Sequence, residues 1–168
     1  MLMHRNRELF EGARVLDLAS HDGRFSFAAL ACGADHVVGI DVKDHLVDVA
    51  SSHFDHYGIA PDRYQFLVGD MYDWIPDLGE FDVVLVFGIL YHICDHMRLF
   101  DLIANTNPRA VIVDSRVSTA EGCVIEMVDP LVPGPPPPGS QLEGLPTKAA
   151  LYIMLTSFGW DLSTYDWV

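Results

Sequence analysis

The stretch that decides the fold is VLDLASHDGRFSF, residues 15–27. An apolar, strand-like run ends at Leu18, small and polar residues come next, and Gly23 opens a segment with helical spacing. A strand-to-helix turn of this kind lets backbone N–H groups approach a ligand closely. Asp41 ends the next strand candidate, where its carboxylate can accept hydrogen bonds from both hydroxyls of a ribose. The pattern predicts a nucleoside-type ligand across the first two strands, and the GxGxxG fingerprint of dinucleotide binders is absent from it.

Beyond this stretch, short apolar runs alternate with helical patterns, which is typical of a parallel α/β sheet. Strands are predicted at 14–18, 36–40, 64–68, 81–87, 110–117 and 161–167. The helix from Asp44 has apolar positions Val47, Ala50, Phe54 and Tyr57 at helical spacing. We expect a doubly wound, Rossmann-like parallel sheet of strand order 3-2-1-4-5 with strand 6 beside it.

Residues 118–145 interrupt the alternation. Their segment VPGPPPPG, residues 132–139, is polyproline-like and fits neither a helix interior nor a central strand. Two interpretations are open: a surface loop or linker, or a lid, because loops at the carboxyl ends of parallel strands border the ligand crevice. We expect a single domain, residues 1–168, that carries this Pro-rich insertion.

Composition narrows the class of protein. The chain has 168 residues, of which 50% are apolar, so one domain can bury a sizeable core. Its three cysteines form no CxxC pair, which favours neither a disulfide framework nor a zinc ribbon. The N-terminus lacks the apolar region of a secretory signal, and the apolar stretch 83–90 is too short to span a membrane. A cytoplasmic location is expected.

The charge balance bears on partners. The formal net charge is −14, and the ten basic residues are scattered. A nucleic-acid binder needs a basic stripe to displace counterions from phosphates. The composition therefore argues against DNA, RNA and anionic membrane surfaces as partners, and we expect a small-molecule substrate.

The segment VLDLASHDG resembles the first-strand motif (V/L)LD(L/V)GxGxG of class I S-adenosylmethionine-dependent methyltransferases. Ala19 and His21 stand in place of the first two glycines, and Gly23 matches the third. VGDMYDW, residues 68–74, and FDVVLVFGILYH, residues 81–92, resemble the third and fourth motifs of that family. The resemblance spans about residues 12–117 and continues more weakly to 167.

The resemblance implies S-adenosylmethionine as the cofactor and assigns residues to it. In the family, the acid at Asp17 holds the methionine amino group, the acid at Asp41 binds the ribose, and Val42 comes next, where the adenine packs. The acid at Asp70 accepts from the adenine amino group, beside Met71. Ordinary structural roles stay open for these acids: Asp17 as a helix-cap acid, Asp41 as a solvated acid at a strand end, and Asp70 as a turn residue.

The first strand-to-helix turn and the end of the fourth strand complete the implied cofactor set. By the resemblance, the turn residues line the donor, and the two residues that end the fourth strand offer backbone carbonyls to the methionine ammonium. These residues are Ala19, Ser20, His21 and Gly23 in the turn, and Phe87 and Gly88 at the strand end.

Candidate catalytic residues come from the tail GILYH, which is similar to a segment of tRNA wobble-uridine carboxymethyltransferases and their relatives. His92 is either a general base or a pocket wall, and the same choice holds for Tyr91. His21 and His96 are further candidate bases. His92, Asp95 and His96 have metal-ligand side chains, but ordinary packing roles are favoured and no metal is expected.

The function expected from these residues is methyl transfer to an O, N or C nucleophile of a small molecule by in-line displacement. A non-catalytic S-adenosylmethionine-binding partner subunit and carboxymethyl transfer are the alternatives. The Asn-Pro-Pro-aromatic motif and the cysteine nucleophile of nucleic-acid methyltransferases are absent from the fourth motif. The family also has an antiparallel seventh strand, for which no segment is left, so we expect a homodimer or a partner subunit that completes the sheet.

Overall fold

The computed structural model describes residues 2–128 and 142–165, so the Pro-rich stretch 132–139 lies outside the described residues. The helices and strands are α1 (Leu2–Arg5), β1 (Arg14–Leu18), α2 (Arg24–Ala31), β2 (His36–Asp41), α3 (Asp44–His56), β3 (Tyr64–Val68), α4 (Met71–Trp74), β4 (Val83–Phe87), α5 (His96–Asn105), β5 (Ala110–Asp114), β6 (Ile125–Val128), β7 (Glu143–Pro146) and α6 (Lys148–Ser157). The chain divides into two compact units, Met1–Gly88 with Leu102–Asp114, and Ile89–Asp101 with Ser115–Val168. The single domain expected from the sequence stays a prediction.

The first unit contains a five-stranded sheet of order β3-β2-β1-β4-β5. All neighbouring strands in it are parallel. The predicted Rossmann-like sheet and its strand order are therefore confirmed. β4 is buried along its whole length, as a strand covered on both faces must be. The carboxyl ends of parallel strands meet at one edge of the sheet, and the predicted site residues of this unit lie there, in the last two residues of β1, β2 or β4 or in the segments that follow β1 to β4.

Aromatic rings fill the space between the sheet and α3. The Phe54 ring is fully buried, and its centroid lies 4.7 Å from that of Tyr64 and 4.8 Å from that of Phe66. In β2, a Cβ atom built on Gly39 would come within 2.6 Å of the Phe66 ring and 2.8 Å of Ser20 Oγ. The Phe66 ring thus lies directly on the β2 backbone, and only glycine fits at position 39.

The second unit contains an antiparallel pair and a helix. β6 pairs with β7, with Met127 opposite Gly144. Thr147 caps α6, because its hydroxyl oxygen accepts from the Ala150 N–H at 3.1 Å. The Thr147 O–H in turn donates to the Gly122 carbonyl at 2.8 Å. The expected insertion 118–145 therefore has regular β structure near both ends, because two short strands satisfy each other's backbone groups.

Two expectations about the elements differ from the structure. Residues 161–165 of the expected strand 161–167 form no strand, and residues 166 and 167 lie outside the described residues. Just before this region, the Phe158 and Trp160 rings stack with centroids 5.5 Å apart, and the Phe100 ring contacts both. Tyr57 is 64% exposed because it lies just past the last residue of α3, whereas Val47, Ala50 and Phe54 are buried as predicted.

Within residues 2–128 and 142–165, no helix is both long and apolar enough to cross a bilayer. The expected homodimer, or a partner subunit that completes the sheet, stays a prediction.

Replacing Gly39 by Ala tests the contact between β2 and Phe66. We expect Gly39→Ala to lower the free energy of unfolding by about 3 kcal/mol, because overpacking forces the ring or the strand to shift. The measurement is urea unfolding monitored by circular dichroism. The control is Gly58→Ala, where φ is +66° but no atom lies within 4 Å of the added Cβ, so that backbone strain of roughly 1 kcal/mol is the only loss. Equal losses in the two variants would contradict the close contact.

Candidate functional site

The turn between β1 and α2 is built from residues in the left-handed conformation. The φ angles are 55° at Ala19, 53° at His21 and 77° at Gly23. A residue with a Cβ atom loses roughly 1–2 kcal/mol in this conformation relative to the right-handed one, although His is among the residues enriched there. The turn thus has a glycine-type backbone at all three positions where the resembled motif has glycine, with glycine itself only at the third.

Gly23 is fixed by packing as well as by its φ angle. A Cβ atom on Gly23 would lie 3.0 Å from the Ala50 Cβ and 3.0 Å from the Phe66 ring. Its N–H donates to the Ser20 carbonyl at 2.9 Å, which closes the turn. The turn therefore lies directly against α3 and β3, and this contact explains the glycine without any ligand.

Asp17, in β1, is a buried acid with one oxygen satisfied. Its Oδ2 accepts from the Ser26 hydroxyl at 2.6 Å, and its Oδ1 has no hydrogen-bond partner within the described ranges. Burial raises the pKa of Asp17 to about 7; the Ser26 hydrogen bonds oppose this rise and the negative Asp41 adds to it. A bound ammonium group would supply both the missing hydrogen bond and the opposite charge. This side chain therefore fits a cationic ligand group.

Asp41, the last residue of β2, has a different environment. Its Oδ2 accepts from the backbone N–H of His21 and its Oδ1 from that of Lys43, both at 2.9 Å. Its carbonyl oxygen accepts from the Gly69 N–H at 2.9 Å. An ionised carboxylate offers about four acceptor positions, of which these backbone donors take two. The others remain for donors such as hydroxyl groups.

Ser20 and Val42 flank these acids. The Ser20 N–H donates to the Ile40 carbonyl at 2.9 Å, while its buried hydroxyl finds no partner in the described part of the chain. Val42 comes directly after Asp41 and is 65% exposed. An exposed apolar side chain beside an acid with free acceptor positions fits a ligand that joins a hydroxylated sugar to a flat apolar ring.

Asp70 has a structural role at the start of α4. Its side chain accepts from the Tyr72 N–H at 2.9 Å, which makes it the N-cap of the helix, and Met71, the next residue, is buried. Asp70 thus has a local backbone role of the kind expected for a turn residue, namely the N-cap bond to Tyr72. The adenine contact implied by the resemblance stays a prediction.

The remaining predicted cofactor residues of the first unit, Phe87 and Gly88, lie at the end of β4. The Phe87 ring contacts the Phe25 ring edge-on, with centroids 4.8 Å apart. Gly88 comes next with φ 68°, and its N–H donates to the Asp114 carbonyl at 2.8 Å, so its amide belongs to the sheet.

The second unit holds Tyr91 and His92 in a 3₁₀ turn, Leu90–His92. The His92 Nδ1 lies 2.8 Å from the Oε1 of Glu143, and the Tyr91 ring centroid lies 4.2 Å from that of His92. The Arg116 guanidinium lies over the Tyr91 ring at 5.2 Å. His92 thus has a carboxylate partner that the sequence did not suggest.

The other candidate bases have different surroundings. His96 is buried, and its Nε2 makes a 2.8 Å hydrogen bond with the Leu90 carbonyl. This contact occupies one ring nitrogen and favours a structural role for His96. The His21 side chain is exposed, with its Nδ1 3.6 Å from Asp22 Oδ1. Among the described residues, no group of three His, Cys, Asp or Glu side chains could hold a metal ion.

The structure brings the first unit's acids and turn residues together, with the Asp70 segment joined to Asp41 through Gly69. Sequence reasoning missed Ser26, although a signal existed: it is the polar member of the buried stripe of α2 that continues with Ala29 and Leu30. It also missed Glu143. No sequence signal marked that residue, because it lies 51 positions from His92.

A doubly wound parallel sheet, with a left-handed turn after β1 and an acid at the end of β2, defines an α/β protein of the nucleoside-cofactor-binding class. Residues 15–107, more than half of the chain, match the family model described as methyltransferase domain. The chain belongs to this methyltransferase domain family. S-adenosylmethionine is the cofactor of the family, so the cofactor expected from the sequence is confirmed at that level.

Relatives and solved structures extend this comparison. A ribosomal RNA large subunit methyltransferase K/L of Psychrobacter sp. is 33% identical over 91 residues, which cover 49% of this chain and 11% of the relative. A ubiquinone biosynthesis O-methyltransferase of Azorhizobium caulinodans is 32% identical over 117 residues, covering 68% and 44%. The N-terminal domain of EvdMO1, crystallised with SAH and D-fucose, has a TM-score of 0.68 at 20% identity and covers 94% of this chain and 70% of that one. The chain thus spans less than half of either named relative.

One expectation about partners is wrong. The acidic composition argues against a nucleic-acid partner, but relatives named as ribosomal RNA methyltransferases match this chain. The charge argument is too broad, because the net charge of −14 counts every residue of the chain, whereas contacts to phosphates depend on where the few basic side chains lie in space.

The strain in the turn is testable at Ala19. We expect Ala19→Gly to raise the free energy of unfolding by about 0.5–1 kcal/mol, because relief of the left-handed strain exceeds the added entropy of the unfolded chain. The control is Ala28→Gly within α2, which should lower it by about 1 kcal/mol. Thermal unfolding of both variants measures the difference. A loss of stability in Ala19→Gly would contradict the strain.

Proposed function

We propose that this chain transfers a methyl group from S-adenosylmethionine to a hydroxyl group of a small-molecule acceptor. The observation that carries the proposal is the buried Asp17 carboxyl, whose Oδ1 has no partner in the described residues, close enough to Asp41 to be affected by its charge. One acid suits the ammonium of a methionine moiety, and the other suits the hydroxyls of a ribose. Family membership supports the same donor.

The protein's contribution is to hold and orient. The donor supplies an already activated methyl group, so alignment and exclusion of water matter more than covalent chemistry on the protein. In this proposal Asp17 holds the amino group, Asp41 the ribose, and Val42 and Met71 flank the adenine. The turn from Ala19 to Gly23 and the Phe87–Gly88 backbone line the methionine part.

The acceptor determines whether a base is needed. A hydroxyl acceptor must lose a proton as its oxygen is methylated, so it requires one. His92, with its Glu143 partner, is the base that we propose, and Tyr91 lies beside its ring. The name of the Azorhizobium relative, an O-methyltransferase aligned over 117 residues, supports oxygen as the nucleophile.

RNA is the second candidate acceptor. The observation that favours it is the set of relatives named as ribosomal RNA large subunit methyltransferases. These matches cover less than half of this chain.

Donor binding and methyl transfer are measured separately on the purified chain. We expect calorimetry to detect S-adenosylmethionine binding, with Asp41→Asn weakening it about 10- to 100-fold through loss of charge-assisted hydrogen bonds. Asp48→Asn, on the exposed surface of α3, is the matched control with unchanged affinity. Radiolabelled methyl transfer to diphenols supports the proposal. Transfer to an rRNA transcript alone would replace it with the second candidate, and binding without any transfer would point to a cofactor-binding partner subunit.

Asp17 predicts how donor binding depends on pH. Its pKa in the free protein is raised to about 7, so below that pH an ammonium ligand must displace a proton from the carboxyl. We expect the affinity to fall about tenfold per pH unit below 7 and to level off above it. Because this pKa is higher in the folded chain than the ordinary value near 4, the free energy of unfolding of the ligand-free protein should fall as the pH rises from about 4 to 7. Calorimetry between pH 5 and 8 measures the affinity, and Asp17→Asn should bind weakly with no such dependence. A pH-independent affinity in the unsubstituted protein would contradict this role.

A further inference from the structure

β7 lies directly along the residues that come after His92. The Gly144 N–H donates to the Ile93 carbonyl at 3.1 Å, and the Cys94 thiol donates to the Leu142 carbonyl at 2.8 Å. A Cβ atom on Gly144 would lie 2.8 Å from the Ile93 oxygen, so a side chain at position 144 would push the two segments apart. The backbones on either side of Glu143 are thereby fixed against the segment that carries His92.

The side chains of Glu143 and His92 meet at this junction. Glu143 Oε1 lies 2.8 Å from His92 Nδ1, with 19% of the Glu143 side chain exposed against 50% of the His92 side chain. An ionised carboxylate only accepts hydrogen bonds, so the contact places a proton on His92 Nδ1, and in the neutral imidazole this leaves Nε2 as the acceptor. The Tyr91 ring also lies beside the His92 ring, and the Arg116 guanidinium lies over the Tyr91 ring.

We propose that Glu143 is a positioning residue, which fixes the tautomer and orientation of His92 so that Nε2 can take the acceptor proton. This inference rests on the proposed function. As the bond from the acceptor oxygen to the methyl carbon forms and the sulfur–methyl bond breaks, the sulfur keeps the electron pair of the broken bond. The acceptor proton moves to His92 Nε2, and the Glu143 carboxylate stabilises the resulting imidazolium.

An ion pair that merely ties β7 to the 3₁₀ turn would show the same distance. The two roles differ in the effect of removing the carboxylate. Loss of the carboxylate changes stability and the site of the ring proton in both cases, but it lowers the turnover number only if Glu143 is a positioning residue. Glu126 offers a matched comparison, because its Oε2 accepts from the Ser118 hydroxyl at 2.6 Å in the neighbouring strand β6, and His92 is not its partner.

The test combines ¹⁵N NMR of the histidine rings with steady-state kinetics on Glu143→Ala, Glu143→Gln, Glu126→Ala and His92→Gln. We expect Glu143→Ala to lose the Nδ1–H form and to lower kcat about 10- to 100-fold, a part of the contribution of a positioned base, with KM for the donor within twofold. Glu143→Gln keeps an acceptor oxygen and should retain the Nδ1–H form with a smaller loss. Thermal unfolding checks that all four variants fold.

The outcomes separate this inference from the function on which it rests. A chain with no methyl transfer to any acceptor refutes the proposed function. An active chain whose Glu143→Ala variant keeps both the Nδ1 proton and kcat refutes the positioning role alone. Equal losses of kcat in Glu126→Ala and Glu143→Ala would also refute it, because the effect would then belong to the strand pair.

Discussion

The carboxyl edge of the sheet in the first unit depends on the carboxylate of Asp41. It accepts one backbone N–H from His21 in the β1–α2 turn and one from Lys43 in its own β2–α3 turn, and the carbonyl of the same residue receives the Gly69 N–H. Three loops at the carboxyl edge of the sheet are thus tied to one residue. Hydrogen bonds to a charged acceptor are stronger than neutral ones, so the Asp41 side chain helps to fix the turn at His21, together with the backbone bonds of Ser20 and Gly23.

Two aspartates close together acquire different properties through their partners. Asp41 has two backbone donors, which compensate its burial. Asp17 has one hydroxyl donor, an oxygen without a partner in the described residues and a pKa raised to about 7 by burial. A site with one satisfied and one unsatisfied acid is complementary to a ligand that carries a cation at one end and neutral hydroxyls at the other. This asymmetry supports the proposal that Asp17 holds the methionine part of the donor and Asp41 its ribose.

Much of the first unit could be predicted from the sequence, because its signals are local. The continuous apolar run of β4, the helical spacing of Val47, Ala50 and Phe54, and an acid directly after a strand each depend on neighbouring residues. The contacts of Glu143 and the packing of Phe66 on Gly39 join distant segments, and no local pattern records them. The strand expected at 161–167 is absent over its described part, residues 161–165, because an apolar and aromatic pattern at the chain's end does not by itself supply a neighbouring strand to pair with.

The β1–α2 turn shows why a missing glycine is weak evidence against a family. A glycine motif marks the backbone conformation that a turn needs, and Ala19 and His21 adopt that conformation at φ 55° and 53°. Part of their strain is offset because alanine and histidine have less conformational freedom than glycine in the unfolded chain. The remaining strain is tolerated because other contacts fix the backbone conformation of the turn. Here those contacts are the His21 N–H bond to Asp41 and the packing of Gly23 on Ala50 and Phe66. The one glycine retained is therefore the one at which a Cβ atom would press against the Ala50 and Phe66 side chains at 3.0 Å.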